Sequence, residues 1–272
     1  MRKNFLRWEY IPLFFLTIFF LMPLYVMLVT GFKSFAEVDL ATMWSLPKSG
    51  IAFDNFIEAY QKLAPNFWNS FRMVVPAAII SSILGSLNGY VLAKWKFKGS
   101  DIIFPLILFG MFIPYQSILI PLVETMRALN LYGGIYGLIL AHVIYGIPIT
   151  TLTFRNYYAT IPKELLEAAR IDGAGILRIY ASVLLPISIP SFVVVLIWQF
   201  TSAWNDFLFA VILSAPSSWP VTVALNNMAG SQIIAWNVQM AGSFLAALPT
   251  LLVYILLGNY FMRGLMAGAL KG

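Results

Sequence analysis

From Ile11 to Gly31 the chain carries no charged side chain, and five later stretches of similar length are nearly as apolar. About 20 apolar helical residues suffice to cross a hydrocarbon core roughly 30 Å thick. Inside that core every backbone N–H and C=O must find a partner within the protein, so only helices and closed barrels span it. The alternating strands of about ten residues that mark a barrel are absent. The sequence therefore predicts an all-α polytopic membrane protein with six transmembrane helices. They fall at about residues 11–31, 67–93, 102–124, 137–155, 187–213 and 241–262, in a single domain covering 1–272. The first run is too long for a signal-peptide core and no small-residue cleavage site follows it, so it reads as a retained span.

Charge sets the orientation. Only 10% of residues are charged, against about 25% in soluble domains. The net charge of +6 therefore points to membrane sidedness rather than to nucleic acid. Twelve of the 17 lysines and arginines lie before the first span, in the loop "KWKFKGSD", in the loop after span four, and at the C-terminus. Positive charge on short loops marks the cytoplasmic side. Both termini and the loop 156–186 are thus expected in the cytoplasm of a cell (plasma or inner) membrane. The opposite side receives a long first loop, 32–66, and an uncharged fifth loop, 214–240. There is no cysteine, and a lone histidine makes no metal site.

The loop 156–186 does not look like a linker. Pro162 suits a first helical turn, and Glu164 sits where the helix dipole favours an acid. At 100° per residue, Leu165, Leu166, Ala169 and Gly173 share one arc; Lys163, Glu164, Glu167 and Arg170 share the opposite one. Gly173 and Gly175 permit a turn, and "ILRIYASVLLP" reads as a second short helix. A charged, solvated loop helix is the plain alternative. Against it stand the small residues Ala168 and Ala169 beside an acid, which let another surface approach closely.

The stretch "EAARIDGAGILRIYASVLLP" resembles the EAA loop of ABC importer permeases: Glu167-Ala168-Ala169, three residues, Gly173, nine residues, then Val183-Leu184-Leu185-Pro186, with Val183 in place of the usual isoleucine. "WNDFLFAVIL" and "YFMRGLMAGALKG" are similar to the same maltose-type carbohydrate importers, and in particular to their six-span second permease subunit. The resemblance implies an ABC importer type I permease fold and a coupling helix that docks on a separate ATPase. Glu167 would be its charged contact, Ala168 and Ala169 the close-packed ones, and Gly173 the turn, with Asp172 also among the ATPase-coupling residues. It also implies a second permease subunit, an ATPase dimer carrying ATP and Mg, an external solute-binding protein, and a carbohydrate substrate, with glucose or mannose as the subgroup's type. The chain is then a transport subunit and not an enzyme. In keeping with that, it has no G-x-x-x-x-G-K-[ST] phosphate loop.

Polar residues within spans are costly and are functional suspects. Gln199, Ser202 and Asp206 recur at i, i+3 and i+7 of span five, one helical face, with Asn205 and Trp204 beside them. Amides, a carboxylate and an aromatic surface are what a sugar needs. Two alternatives stay open: these residues tie span five to its neighbours or cap a helix, or the partner permease holds the sugar. Asp206 also supports a rival function, a proton-coupled secondary transporter; a non-transporting scaffold is a third. His142, near the end of span four, reads as a hydrogen-bonded packing residue. Glu124 and Arg127 read as an exposed pair. "GSLNG", Gly85 to Gly89, reads as a helix-packing motif that could face the partner subunit. Pro76, Pro105, Pro114 and Pro121 imply bends.

Overall fold

A computed structural model describes residues 8, 10–95, 97–230 and 234–269, the side chains of 259 and 261–269 excepted. Of the sidedness charges, Arg2, Lys3, Arg7, Lys96, Arg263 and Lys271 lie outside what is described. Eleven helical elements position the site: α1 (Tyr10–Gly31), α2 (Asp54–Lys94), α3 (Ser100–Phe109), α4 (Leu119–Ala128), α5 (Ile135–Ala159), α6 (Lys163–Ile171), α7 (Ile176–Ile187), α8 (Ile189–Trp204), α9 (Leu208–Leu213), α10 (Val221–Met228) and α11 (Trp236–Ala269). Among the described residues four helices are long and apolar enough to span on their own, and counting each of two bent pairs as one span brings the total to six.

Three expected spans differ from the observed helices. The helix of span two begins at Asp54, because its first turns are amphipathic and hydropathy does not register them. Span three is not one helix: Ser100–Phe112 and Tyr115–Ala128 meet at 91°. Pro114 lies in the break and holds Ile113 extended, at φ −76° and ψ 116°, since a residue before proline is pushed out of the α region. Span five is interrupted as well: α8 stops at Trp204 and α9 starts at Leu208.

The chain forms two compact units. In Met1–Pro65 with Ala224–Leu248, Ala59, Val238 and Ala241 pack with Phe56 and Leu245. The Asn55 side-chain amide donates to the Gly31 and Lys33 carbonyls at 2.8 Å each, closing the end of α1, and accepts from Asn237 at 2.8 Å. The connection after α1 is ordered. Lys33 is buried and donates to the Thr42 carbonyl at 2.7 Å. The Glu37 carboxylate accepts the N–H groups of Lys48 and Ser49 at 3.2 and 2.6 Å.

The other unit, Asn66–Val223 with Pro249–Gly272, is held by close helix contact. A Cβ at Gly85 of α2 would meet the Thr150 side chain of α5 at 2.0 Å, and one at Gly89 would meet the Arg155 nitrogen at 2.6 Å. The "GSLNG" motif is therefore used within the chain and is not a surface for a partner. Below this contact a buried hydroxyl cluster ties four segments together. The hydroxyls of Ser86 and Tyr158 lie 2.6 Å apart. Tyr158 donates to Ser188 at 3.2 Å, and Tyr180 donates to Ser86 at 3.0 Å. Tyr180 opens a π-helical turn, Tyr180–Leu184, inside α7, a wide turn that holds more residues than an α turn. The fifth loop is not irregular throughout. Pro216–Ser218 forms a 3₁₀ turn and α10 follows, with Val221 and Val223 buried. Arg127 lies 4.7 Å over the Tyr132 ring, and among the described residues it makes no ion pair with Glu124.

Candidate functional site

Both helix breaks open onto one cavity of about 780 Å³. Gly110, Met111, Ile113 and Tyr115 come to its wall from the bend between α3 and α4; Asn205, Asp206 and Phe207 come from the break between α8 and α9. Gln199 and Ser202 line it as well, so all four expected residues of span five share one space. They do not share it as a single helical stripe, because α8 ends before Asp206. Asp206 instead accepts the Ala210 N–H at 3.1 Å, capping α9, while its backbone carbonyl accepts the Thr222 hydroxyl at 2.9 Å.

Gln199 has a second task. Its side-chain N–H donates to the Ser81 hydroxyl at 2.9 Å, and Ser81 donates in turn to the Ala77 carbonyl at 2.8 Å. Gly146 of α5 makes room, since a Cβ there would fall 1.9 Å from Gln199 Nε2. Gln199 thus ties α8 to α2 past α5, as the structural alternative for this residue requires, and still reaches the cavity. Ser202 and Asn205 are exposed to it.

Sequence reasoning missed the α5 wall. His142, Tyr145, Gly146 and Ile149 all line the cavity. Their spacings of three and four residues put them on one helix face, and that spacing was the available signal. Tyr145 and Phe209 sit with ring centroids 5.1 Å apart, and Tyr115 lies 5.5 Å from Phe209. The wall thus combines aromatic faces, two of them phenolic, with two amides, the Ser202 hydroxyl, a carboxylate and an imidazole, and among the described residues no lysine or arginine lines it.

The second site is α6. Leu166 is buried, and Arg170 lies 4.3 Å over the Trp95 ring. Lys94 donates to the Ile161 carbonyl at 2.5 Å, fixing the approach. The helix ends in a glycine stop: the Ala174 N–H reaches back to the Ala169 carbonyl and the Gly173 N–H to the Arg170 carbonyl, both at 2.9 Å. Gly173 has φ +79°. This two-bond closure, with glycine in the left-handed region, is the Schellman motif. Ala169 and Ala174 both pack onto the core around Tyr158 and Leu184. Ala169 is therefore already committed inside the chain, while Gly173, itself exposed, is committed to the turn. Glu167, Ala168 and Asp172 remain exposed, beside the exposed side chains of Leu165 and Ile171.

Residues 81–267 match the family described as binding-protein-dependent transport system inner membrane component. The chain belongs to this family. The permease is 48% identical, over 97% of its length and 96% of the relative's, to a probable ABC transporter permease of Pyrococcus horikoshii. It is 36% identical to the xylose/arabinose import permease of Haloferax volcanii, covering 92% of this chain and 89% of that one. A crystal structure of a bacterial ABC transporter involved in import of the acidic polysaccharide alginate matches with a TM-score of 0.77 at 24% identity, over 93% of the permease and 96% of that chain. The last is a likeness of fold, and it establishes the ABC importer permease architecture for these helices.

Proposed function

We propose that this permease carries a small neutral sugar inward through the cavity between its two helix breaks. The observation that carries the reading is the wall itself: aromatic surface with Gln199, Ser202, Asn205 and Asp206 set around it, and no lysine or arginine among the described residues. Sugars present hydroxyls to amides and carboxylates and C–H faces to aromatic rings, whereas an acidic sugar would meet Asp206 with nothing to offset the repulsion. Glucose and mannose fit these terms, as does a pentose of the kind in the Haloferax relative's name.

The energy comes from elsewhere in this reading. The exposed face of α6, with Glu167, Ala168 and Asp172, docks on a separate ATPase dimer that holds ATP and Mg; Ala169 and Gly173 shape the docking helix rather than touch the partner. A second permease subunit completes the path, and an external binding protein delivers the sugar. Both termini and α6 then lie in the cytoplasm of a cell membrane. Membership in a binding-protein-dependent family leaves the proton-driven carrier through Asp206 without support.

The test is uptake in proteoliposomes holding the permease with its co-purified subunits, using labelled D-glucose, D-mannose and D-xylose. Uptake that requires internal ATP and the external binding protein is expected. Uptake driven by a pH gradient alone, with no ATP, would overturn the proposal.

A further inference from the structure

We propose that Trp198 is the platform on which the sugar stacks: the ring lies with a C–H face on the indole, while Ser202 and Asn205 take hydroxyls at its edge. This rests on the reading of the cavity as a sugar path. The sequence offers Trp204 as the aromatic surface, but Trp204 is 1% exposed and its ring stacks on Phe200 at 5.5 Å, with 13° between planes. Trp198 is 54% exposed and lines the cavity. Tyr115 and Tyr145 of the same wall both pack on Phe209. Trp198 meets no other aromatic ring among the described residues.

The face of α8 that carries Trp198 has the character of a path. Trp198, Ser202 and Asn205 stand at i, i+4 and i+7, one helical face, and Asn205 keeps helical dihedrals, φ −87° and ψ −2°. All three line the cavity. Between Phe192 and Asn205 they are the exposed side chains, and the rest are buried or half-buried. A face turned to lipid would be aliphatic, because polar side chains are costly in hydrocarbon; this one carries a hydroxyl and an amide. Side chains one turn apart lie about 5–6 Å from each other at Cβ, so a ring on the indole has Ser202 at its edge and Asn205 beyond. The face of an aromatic ring is the negative part of its quadrupole, and the C–H groups of a sugar ring are its positive complement. The hydroxyl and the amide each donate and accept, as sugar hydroxyls do. Such a surface reads a closed ring: an open-chain polyol offers the same hydroxyls but no face to lay on the indole.

Hydroxyl-radical footprinting of the assembled wild-type transporter in proteoliposomes, read by peptide mass spectrometry, marks indoles that water reaches. Trp198 should oxidise and Trp204 should not. During import of D-glucose, D-mannose or D-xylose, whichever the same preparation carries, oxidation of Trp198 should fall saturably. D-glucitol at equal concentration scavenges radicals but has no ring, and should protect Trp198 less. The transporter carrying Trp198→Leu should lose roughly three- to tenfold in uptake rate at saturating binding protein, the scale of one aromatic contact. Trp198→Phe keeps a ring face and should recover most of that loss. A Trp198 that does not oxidise is covered by lipid or by the second permease, and overturns the proposal. So does equal protection by the imported sugar and D-glucitol, or uptake by the Leu variant at the rate of the Phe variant. Each of these leaves the sugar path standing. If none of the tested sugars is imported, the sugar reading falls, and this inference with it. The footprint uses the wild-type chain, so a misfolded variant cannot mask the outcome.

Discussion

Gly85→Ala adds one methyl group where α2 and α5 touch, and the structure sets the cost. The new Cβ would stand 2.0 Å from Thr150 Oγ1, 2.5 Å from Thr150 Cβ and 2.8 Å from the Thr150 carbonyl carbon. Rotating the threonine moves only the hydroxyl, and doing so gives up its hydrogen bond to the Ser81 carbonyl at 3.0 Å. The backbone carbon cannot rotate away. It falls about 0.6 Å short of the 3.4 Å at which ordinary contact begins. The helices must therefore separate, and at Gly89 a second contact depends on the same approach. Overpacking of this kind costs about 1–3 kcal/mol. The better helix propensity of alanine, about 1 kcal/mol at most, offsets part of it. The measurement is reversible unfolding of the purified permease, titrating SDS into mild detergent, with Gly258→Ala as the control. Gly258 has no atom within 4 Å of a Cβ, so that substitution should be neutral or slightly stabilising. If Gly85→Ala unfolds at the same midpoint as wild type, the close approach of α2 and α5 is wrong.

Two further predictions concern segments outside the spans. Gly173→Val meets no clash, since nothing lies within 4 Å, but φ +79° is closed to a β-branched residue. The Schellman closure should be lost at a cost of about 1–2 kcal/mol, with uptake failing while the protein still accumulates; full uptake would show that the turn is dispensable. The Ser49 side chain, with the N–H groups of Lys48 and Ser49, holds the Glu37 carboxyl below its usual range. A lowered folded-state value means that this support is complete above the unfolded-state value, near 4.3, and is lost as pH falls through the folded one. Hydrogen exchange at Ser49, corrected for intrinsic rate, should be protected at neutral pH and lose protection only in acid. Glu37→Gln should flatten that dependence, and an unaltered profile in this variant would remove Glu37 from the account.

Hydropathy and charge spacing located the spans because burial in lipid is a property of long averages. The same averaging is blind to bends. The 91° break at Ile113–Pro114 costs no apolar residue, so the window over 102–124 could not register it. The helix α6 was legible in finer detail, since a helix stop is written locally: Ala169, Gly173 and Ala174 are close in sequence and meet through the backbone. The cavity was half legible. Gln199, Ser202, Asn205 and Asp206 are neighbours on one segment, and their polarity in an apolar run was enough to find them. His142 reads as a packing residue in the sequence; Asp206 lies 64 positions away along the chain, in the break after α8, and only the folded structure brings the two within 3.6 Å.

The π turn at Tyr180–Leu184 bears on how such a chain can change length through evolution. A residue inserted into an α helix either rotates everything beyond it by roughly 100° or is taken up in one wide turn that leaves both flanks in phase. Here it is taken up, between the exposed face of α6 and the Ser188 corner where α8 begins. A relative could lose one residue from Tyr180–Leu184 and keep both ends aimed as they are. The same loss from Ile176–Ile179 has no wide turn to absorb it, and would swing Glu167 and Ala168 away from whatever they face.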